Sequence, residues 1–125
     1  MRAIGMSESE FGVMKFIILT YESAADFEAR RAGSGYWERW AAFGGALKSA
    51  GVVSEMHGLE GVETASTVRL RGGEAAVVDG PLLGGNLQLG GYFILDVADA
   101  AEAQVWAARC PAAVNGAVEV RPVLQ

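Results

Sequence analysis

The side chains of this chain that could do chemistry are few. His57 is the single histidine, and it stands two residues after Glu55. On a strand that spacing puts both side chains on one face. A carboxylate beside an imidazole raises its pKa and orients the ring, as a general base requires. The plainer reading is a surface or edge histidine. Ser54 lies three residues from His57 and so faces the other way, which argues against a local Ser-His pair. Asp79 precedes Gly80-Pro81 at the end of a β-rich run. Its carboxylate either caps the following turn or stands at a cleft rim as a general base or ligand anchor. Arg69 with Arg71, and Glu119 with Arg121, alternate along strands and so share faces. They read as cross-strand ion pairs or dimer contacts, or as an anion site in a cleft where Tyr92 supplies a hydroxyl or simply fills core. Asp79 and His57 are the catalytic candidates, and Arg69, Tyr92 and Arg121 the ligand-binding candidates. Whether the protein is an enzyme stays open at this point.

Several chemistries have no support in the sequence. One cysteine, Cys110, and one histidine cannot make an internal disulfide or a zinc site. Cys110 falls on an apolar helix stripe and reads as a buried, inert thiol. The glycine pairs at 84–85 and 90–91 are not followed by Gly-Lys-Ser/Thr, and a strand follows where a phosphate-binding loop needs a helix. No Gly-x-Ser-x-Gly elbow occurs. No cofactor and no metal are expected. A net charge of −5 with ten scattered basic residues argues against nucleic acid as a partner, because phosphate contacts need clustered Lys and Arg. No apolar stretch approaches the roughly 18 residues of a membrane span, and no signal peptide is indicated. The expected location is cytoplasmic.

These residues must be positioned by one domain of 125 residues with a hydrophobic fraction of 51%, enough to bury a core. Residues 1–13 read as a flexible N-terminal tail and 14–125 as the domain. Met14–Tyr21 is a strand apolar on both faces, with Phe16 and Ile18 on one and Ile17 and Leu19 on the other. Residues 22–35 read as a polar connection with a helical turn near Ala24–Arg31. Tyr36–Ala50 is a helix with Trp37, Trp40, Ala41, Gly44 and Leu47 on its inward stripe. Gly44-Gly45 costs roughly 1 kcal/mol per glycine, which close approach to a sheet would explain, and Gly51 is a C-terminal cap. Strands follow at Val52–Leu59, Ala65–Arg71, Glu74–Asp79 and Tyr92–Val97, with Gly72-Gly73 as a two-residue hairpin. Asp99 and Glu102 have capping-box spacing and open a helix to about Arg109. Ala103, Trp106, Ala107 and Cys110 face inward there, and Pro111 stops it. Ala117–Leu124 is the last strand. All three tryptophans read as core. The stretch Asp79–Gly91 reads as a glycine-rich loop. It carries no charge after Asp79, so its leucines are expected to pack on something.

The order is ferredoxin-like βαββαβ with an extra β-hairpin. This is an α+β fold, an antiparallel sheet with two helices on one face. The other face is uncovered, yet the first strand is apolar on both sides. An uncovered apolar face predicts a partner, most simply a second copy, giving a homodimeric α+β barrel.

Certain residues carry a resemblance to a known family. These are Asp79-Gly80-Pro81, Leu89-Gly90-Gly91-Tyr92-Phe93, Asp96-Val97, Trp106-Ala107-Ala108-Arg109-Cys110-Pro111 and Val118-Glu119-Val120-Arg121-Pro122. Trp40, Leu47–Gly51 and Thr67-Val68-Arg69 fit as well. Over about residues 14–124 the chain resembles the DGPF group of the YCII-related family. The resemblance implies a dimeric ferredoxin-like α+β barrel and little about chemistry. Related YCII proteins have an enzymatic role attributed to a His-Asp pair. DGPF members are often encoded beside extracytoplasmic-function sigma factors. The chain departs from the family pattern after the motif. Leu82 replaces its Phe, and Gly84, Asn86 and Leu87 replace an acid, a base and a second acid. Two functions are therefore expected. The first is a small-molecule site in the cleft between the sheet and the Asp79–Gly91 loop. The alternative is a non-catalytic interaction or regulatory protein associated with an extracytoplasmic-function sigma factor.

Overall fold

The computed structural model describes residues 12–33 and 35–125. The expected tail therefore lies almost wholly outside the described residues. The chain runs β1 (Met14–Ser23), α1 (Ala24–Ala32), α2 (Tyr36–Ala50), β2 (Val53–Gly58), a 3₁₀ turn (Val62–Thr64), β3 (Ser66–Arg71), β4 (Glu74–Asp79), β5 (Leu87–Val97), α3 (Ala100–Ala108), α4 (Ala112–Asn115) and β6 (Ala117–Pro122). Four strands form one antiparallel sheet in the order β2-β5-β1-β6, and β3–β4 form a separate hairpin. The architecture is α+β, with one layer of helices packed on the four-stranded sheet.

Strand periodicity decides which residues meet those helices. Phe16 and Ile18 of β1 and Phe93, Leu95 and Val97 of β5 are buried against Phe43 and Leu47 of α2 and Ala103 and Ala107 of α3, with Cys110 and Ala112. Aromatic geometry locks α2 to the sheet. Trp40 stacks on Phe93 at 6.1 Å, and Phe43 meets the same ring edge-on at 5.2 Å. Gly44 gives the close approach foreseen for it: a Cβ there would sit 3.4 Å from the Met56 thioether, whereas Gly45 faces open space. Ends follow their capping signals. Gly51 takes φ 70° and donates to the carbonyls of Leu47 and Lys48. The Asp99 carboxylate accepts from Glu102 N at 2.9 Å, and Glu102 Oε1 accepts from Ala98 N at 3.1 Å. Gly72 and Gly73 both take positive φ, as a two-residue hairpin of this twist requires.

The helical turn read near Ala24–Arg31 is present and is a full nine-residue helix, α1, capped by the Ser23 hydroxyl on Asp26 N at 3.2 Å. Three expectations need correction. With α1 and α4, the described residues form four helices where two were expected. The inward stripe of α2 is rotated: Tyr36, Phe43, Gly44 and Leu47 are buried, while Trp37 is 53% exposed and is not core. The Asp79–Gly91 loop is shorter than read, because β5 starts at Leu87. Within one chain nothing covers Leu82 (60% exposed) or Leu83 (72%), so the packing expected of these leucines would have to come from a surface outside it.

Candidate functional site

Cross-strand register builds the helix-free face of the sheet. Facing residues share a side, so one row runs His57–Tyr92–Leu19–Glu119 and the next Glu55–Ile94–Ile17–Arg121. The centre is apolar and half-buried; the charged groups stand at the two edges. At the β2 edge, Glu55 Oε1 accepts the Tyr92 hydroxyl at 3.0 Å and lies 3.4 Å from His57 Nε2. That hydrogen bond, ahead of burial, holds the Tyr92 phenol above its ordinary pKa. At the β6 edge, Arg121 Nε pairs with Glu119 Oε2 at 3.1 Å. Burial first, and the Glu119 carboxylate second, raise the Tyr21 phenol.

One end of this face opens into a cavity of about 610 Å³. Tyr21 of β1 and Leu87 and Leu89 of β5 contribute to its walls, and so do Val62, Pro81 and Leu82 from the loops. Register explains why. The β1–β5 ladder skips Gly90, pairing Thr20 with Gly91 but Tyr21 with Leu89. Beyond that bulge, Leu89 and Leu87 share the face of Tyr21. The lining is aliphatic, with Gln88, Thr64 and Glu60 among its few polar residues. The Gln88 amide donates to the Leu83 and Gly85 carbonyls at 3.1 and 3.3 Å, which ties the loop to the strand.

A third group lies under the helices, directly behind the bulge. Glu22 is 1% exposed. It accepts from Arg30 Nη2 at 2.7 Å and from the Tyr36 hydroxyl. Arg30 also donates to Tyr36 Oη at 3.1 Å, to the Gly90 carbonyl at 3.0 Å and to the Leu59 carbonyl at 2.5 Å. Burial works against the Arg30 charge, but the hydrogen bonds to Tyr36 and Glu22 outweigh it and raise its pKa. Burial, then the bond to Glu22, push the Tyr36 phenol far above its ordinary value. The cluster explains Gly90: a Cβ there would overlap Glu22 Oε2 and stand 2.9 Å from Arg30 Nη2. Gly91 has a separate reason, since its Cβ would stand 2.8 Å from the His57 carbonyl oxygen.

The sequence candidates separate accordingly. His57, Tyr92 and Arg121 share the open sheet face, and Glu55 binds the first two together. Asp79 and Arg69 sit on the β3–β4 hairpin, in the other sheet, and do not join them. Asp79 is exposed, and among the described residues its carboxylate caps no turn. The turn is closed instead by Gly80 N on the Ala65 carbonyl at 2.7 Å and the Thr67 hydroxyl on the Gly80 carbonyl at 2.8 Å. Arg69 and Arg71 form no ion pair among the described residues. Cys110 is buried and its thiol is pushed up to about 12 by burial, so it is no nucleophile. Sequence reasoning missed Glu22, Arg30 and Tyr36. The available signal was the β1 alternation Phe16, Ile18, Thr20, which continues to Glu22 and turns a carboxylate inward, where a partner is obligatory.

No group of three or more His, Cys, Asp or Glu side chains among the described residues could hold a metal ion. No helix among them is long and apolar enough to cross a membrane. No curated protein matches the chain. The YCII-related domain matches it over residues 14–125, the whole four-stranded sheet with its helices and hairpin. The chain belongs to the YCII-related domain family.

Proposed function

We propose that this protein binds a small, largely apolar molecule in the cavity between the sheet and the Pro81–Gly84 loop. The observation that carries this reading is the cavity itself. Its volume of about 610 Å³ falls in the range of small-molecule sites, which are mostly apolar with a few polar groups. The loop carries glycine, asparagine and leucine where charges were expected from the resemblance, which fits an uncharged ligand. The protein works as a homodimer joined through the open sheet face, as a ferredoxin-like α+β barrel of the DGPF group. The strand order β2-β5-β1-β6, the half-buried Ile17, Leu19 and Ile94 and the Asp-Gly-Pro and Gly-Gly-Tyr-Phe marks support that assignment. In a dimer the partner would roof the cavity, because Tyr21, Leu87 and Leu89 continue the same face. His57 on Glu55 is the group on that face with general-base chemistry. Native mass spectrometry of the purified protein, with a melting-shift screen of a metabolite library, tests the reading. A retained or stabilising ligand that Leu87→Trp excludes supports it. A clean protein with no shift from any library member refutes it.

The β3–β4 hairpin favours a second reading. Val68, Leu70, Val77 and Val78 are 60–70% exposed, more apolar surface than a solvent-facing hairpin needs. As a non-catalytic interaction protein, the chain would dock a protein partner there, an extracytoplasmic-function sigma factor by the family resemblance. Capture of such a factor that is lost in Val77→Lys supports this reading. No complex with the sigma factor encoded nearest its gene counts against it.

A further inference from the structure

The helix side of the molecule holds a second groove, of about 550 Å³, between α2 and the α3–α4 corner. Trp40, Phe43 and Ala46 of α2 provide apolar walls, and Val114 lies across from them on α4. Two guanidinium groups line it, Arg39 from α2 and Arg109 from the end of α3. Arg30, Arg31 and Arg121 each have a carboxylate partner. Arg39 and Arg109 have none among the described residues. Arg109 lies over the Trp106 ring at 4.4 Å, which orients the guanidinium without neutralising it. The one acid on the lining is Asp26, and its Oδ1 already accepts from Asn115 Nδ2 at 3.2 Å. The groove therefore carries two cations against one engaged carboxylate, on a chain whose net charge is −5. Paired guanidiniums beside aromatic walls match a planar anion with an apolar body.

We infer that this groove is a binding site for a small aromatic carboxylate, held by Arg39 and Arg109 through its anion and by the apolar wall of Trp40, Ala46 and Val114 through its ring. The site is separate from the loop cavity, which lies on the far side of the sheet and offers no cation. Loss of one of these charge-assisted contacts costs about tenfold or more in affinity. The probes are 1-naphthoate and its neutral isostere 1-naphthamide, titrated calorimetrically against the whole chain. Naphthoate is expected to bind, and naphthamide about tenfold more weakly or not at all. Arg39→Met and Arg109→Met each weaken naphthoate by about tenfold. Both side chains are exposed, so melting temperature should hold in these variants. Leu87→Trp, which blocks the loop cavity, leaves naphthoate binding intact if the groove is the site. Equal affinity for the two probes overturns the inference, and so does wild-type affinity in the double arginine variant. Loss of naphthoate binding in Leu87→Trp, or no binding at millimolar naphthoate, overturns it as well.

Discussion

Replacing Gly90 by alanine tests the account of the buried cluster. Gly90 is not among the positive-φ glycines, so alanine brings no left-handed backbone strain there. The added methyl would overlap Glu22 Oε2, stand 2.8 Å from Glu22 Cδ and 2.9 Å from Arg30 Nη2. The carboxylate has no solvent to move into, being 1% exposed, so accommodation means separating it from Arg30 and Tyr36. Breaking a buried ion pair costs about 3–5 kcal/mol. With an unfolding entropy of about 0.25 kcal/mol per kelvin for a chain of this length, the melting temperature should fall by about 12–20 °C. The discriminating measurement is a double-mutant cycle by chemical denaturation. In a Glu22→Ala/Arg30→Leu background both charges are gone and the methyl has room, so the cost of the background itself drops out of the cycle. There Gly90→Ala should cost less than about 1 kcal/mol. Gly91→Ala is the control. Its clash is with the His57 carbonyl oxygen of β2, so its cost should be the same in both backgrounds. Additive behaviour of Gly90→Ala would refute the explanation, as would a loss below about 1 kcal/mol in the native background.

Other consequences are directly measurable. Alkaline stability should begin to fall near pH 9. Burial pushes the folded Cys110 thiol up to about 12 from an ordinary value of 9.0. Its stabilising effect is complete below the unfolded value and is lost as pH rises toward the folded one, at about 1.4 kcal/mol per pH unit. Denaturant melts between pH 8 and 11 should show that slope, and Cys110→Ala should flatten its onset. Above pH 10 Tyr36 adds a loss of the same sign, so Tyr36→Phe should reduce the slope there. Asp99→Ala removes the cap on Glu102 N and should cost about 1 kcal/mol, read by thermal denaturation. Leu19→Arg, at the centre of the open sheet face, should convert a dimer to a monomer at micromolar concentration by light scattering. A wild-type protein that is already monomeric would remove the basis of the dimer reading.

Much of this fold was legible because local signals and tertiary demands agree. Phe16 and Ile18 alternate with Ile17 and Leu19, and one set is buried under helices. Gly51, Gly72-Gly73 and Asp99 sit where turn and cap chemistry requires them. Legibility failed where a distant partner decides. Residues 22–35 read as a polar link with one helical turn, yet α1 runs a full nine residues from its Ser23 cap, and Arg30 on it meets the demand of the buried Glu22, eight residues back, for a partner. The same demand turns Tyr36 inward, and Trp37, the next residue, is carried outward to donate to the Arg30 carbonyl at 3.1 Å. The inward stripe of α2 thus rotates away from the one that apolar spacing alone predicts. Of the candidate site, the His57–Glu55–Tyr92 grouping follows from period two and strand register. Asp79 and Arg69 do not join it, because the split of the chain into two sheets is not written in either strand.

The buried ion pair and the apolar cavity are two sides of one event in the sheet. Without the skipped residue at Gly90, β1 and β5 would continue in register, and Glu22 would face Leu89. Leu89 would then point toward the helices, and a one-residue shift exchanges faces for every side chain beyond it. The bulge prevents this. It sets Tyr21 opposite Leu89 and Glu22 opposite Gln88, which sends the leucines to the open face and leaves polar groups behind the strand. Arg30 holds the bulged residue through the Gly90 carbonyl and the facing wall through the Leu59 carbonyl. Leu59 N in turn donates to that same Gly90 oxygen at 2.8 Å. A buried pair is weak support for stability, and an apolar pair of similar volume would serve the core as well. It would not hold Gly90 and Leu59 by their carbonyls. The pair is better understood as what fixes the bulge, and through the bulge as what gives the cavity its leucine wall.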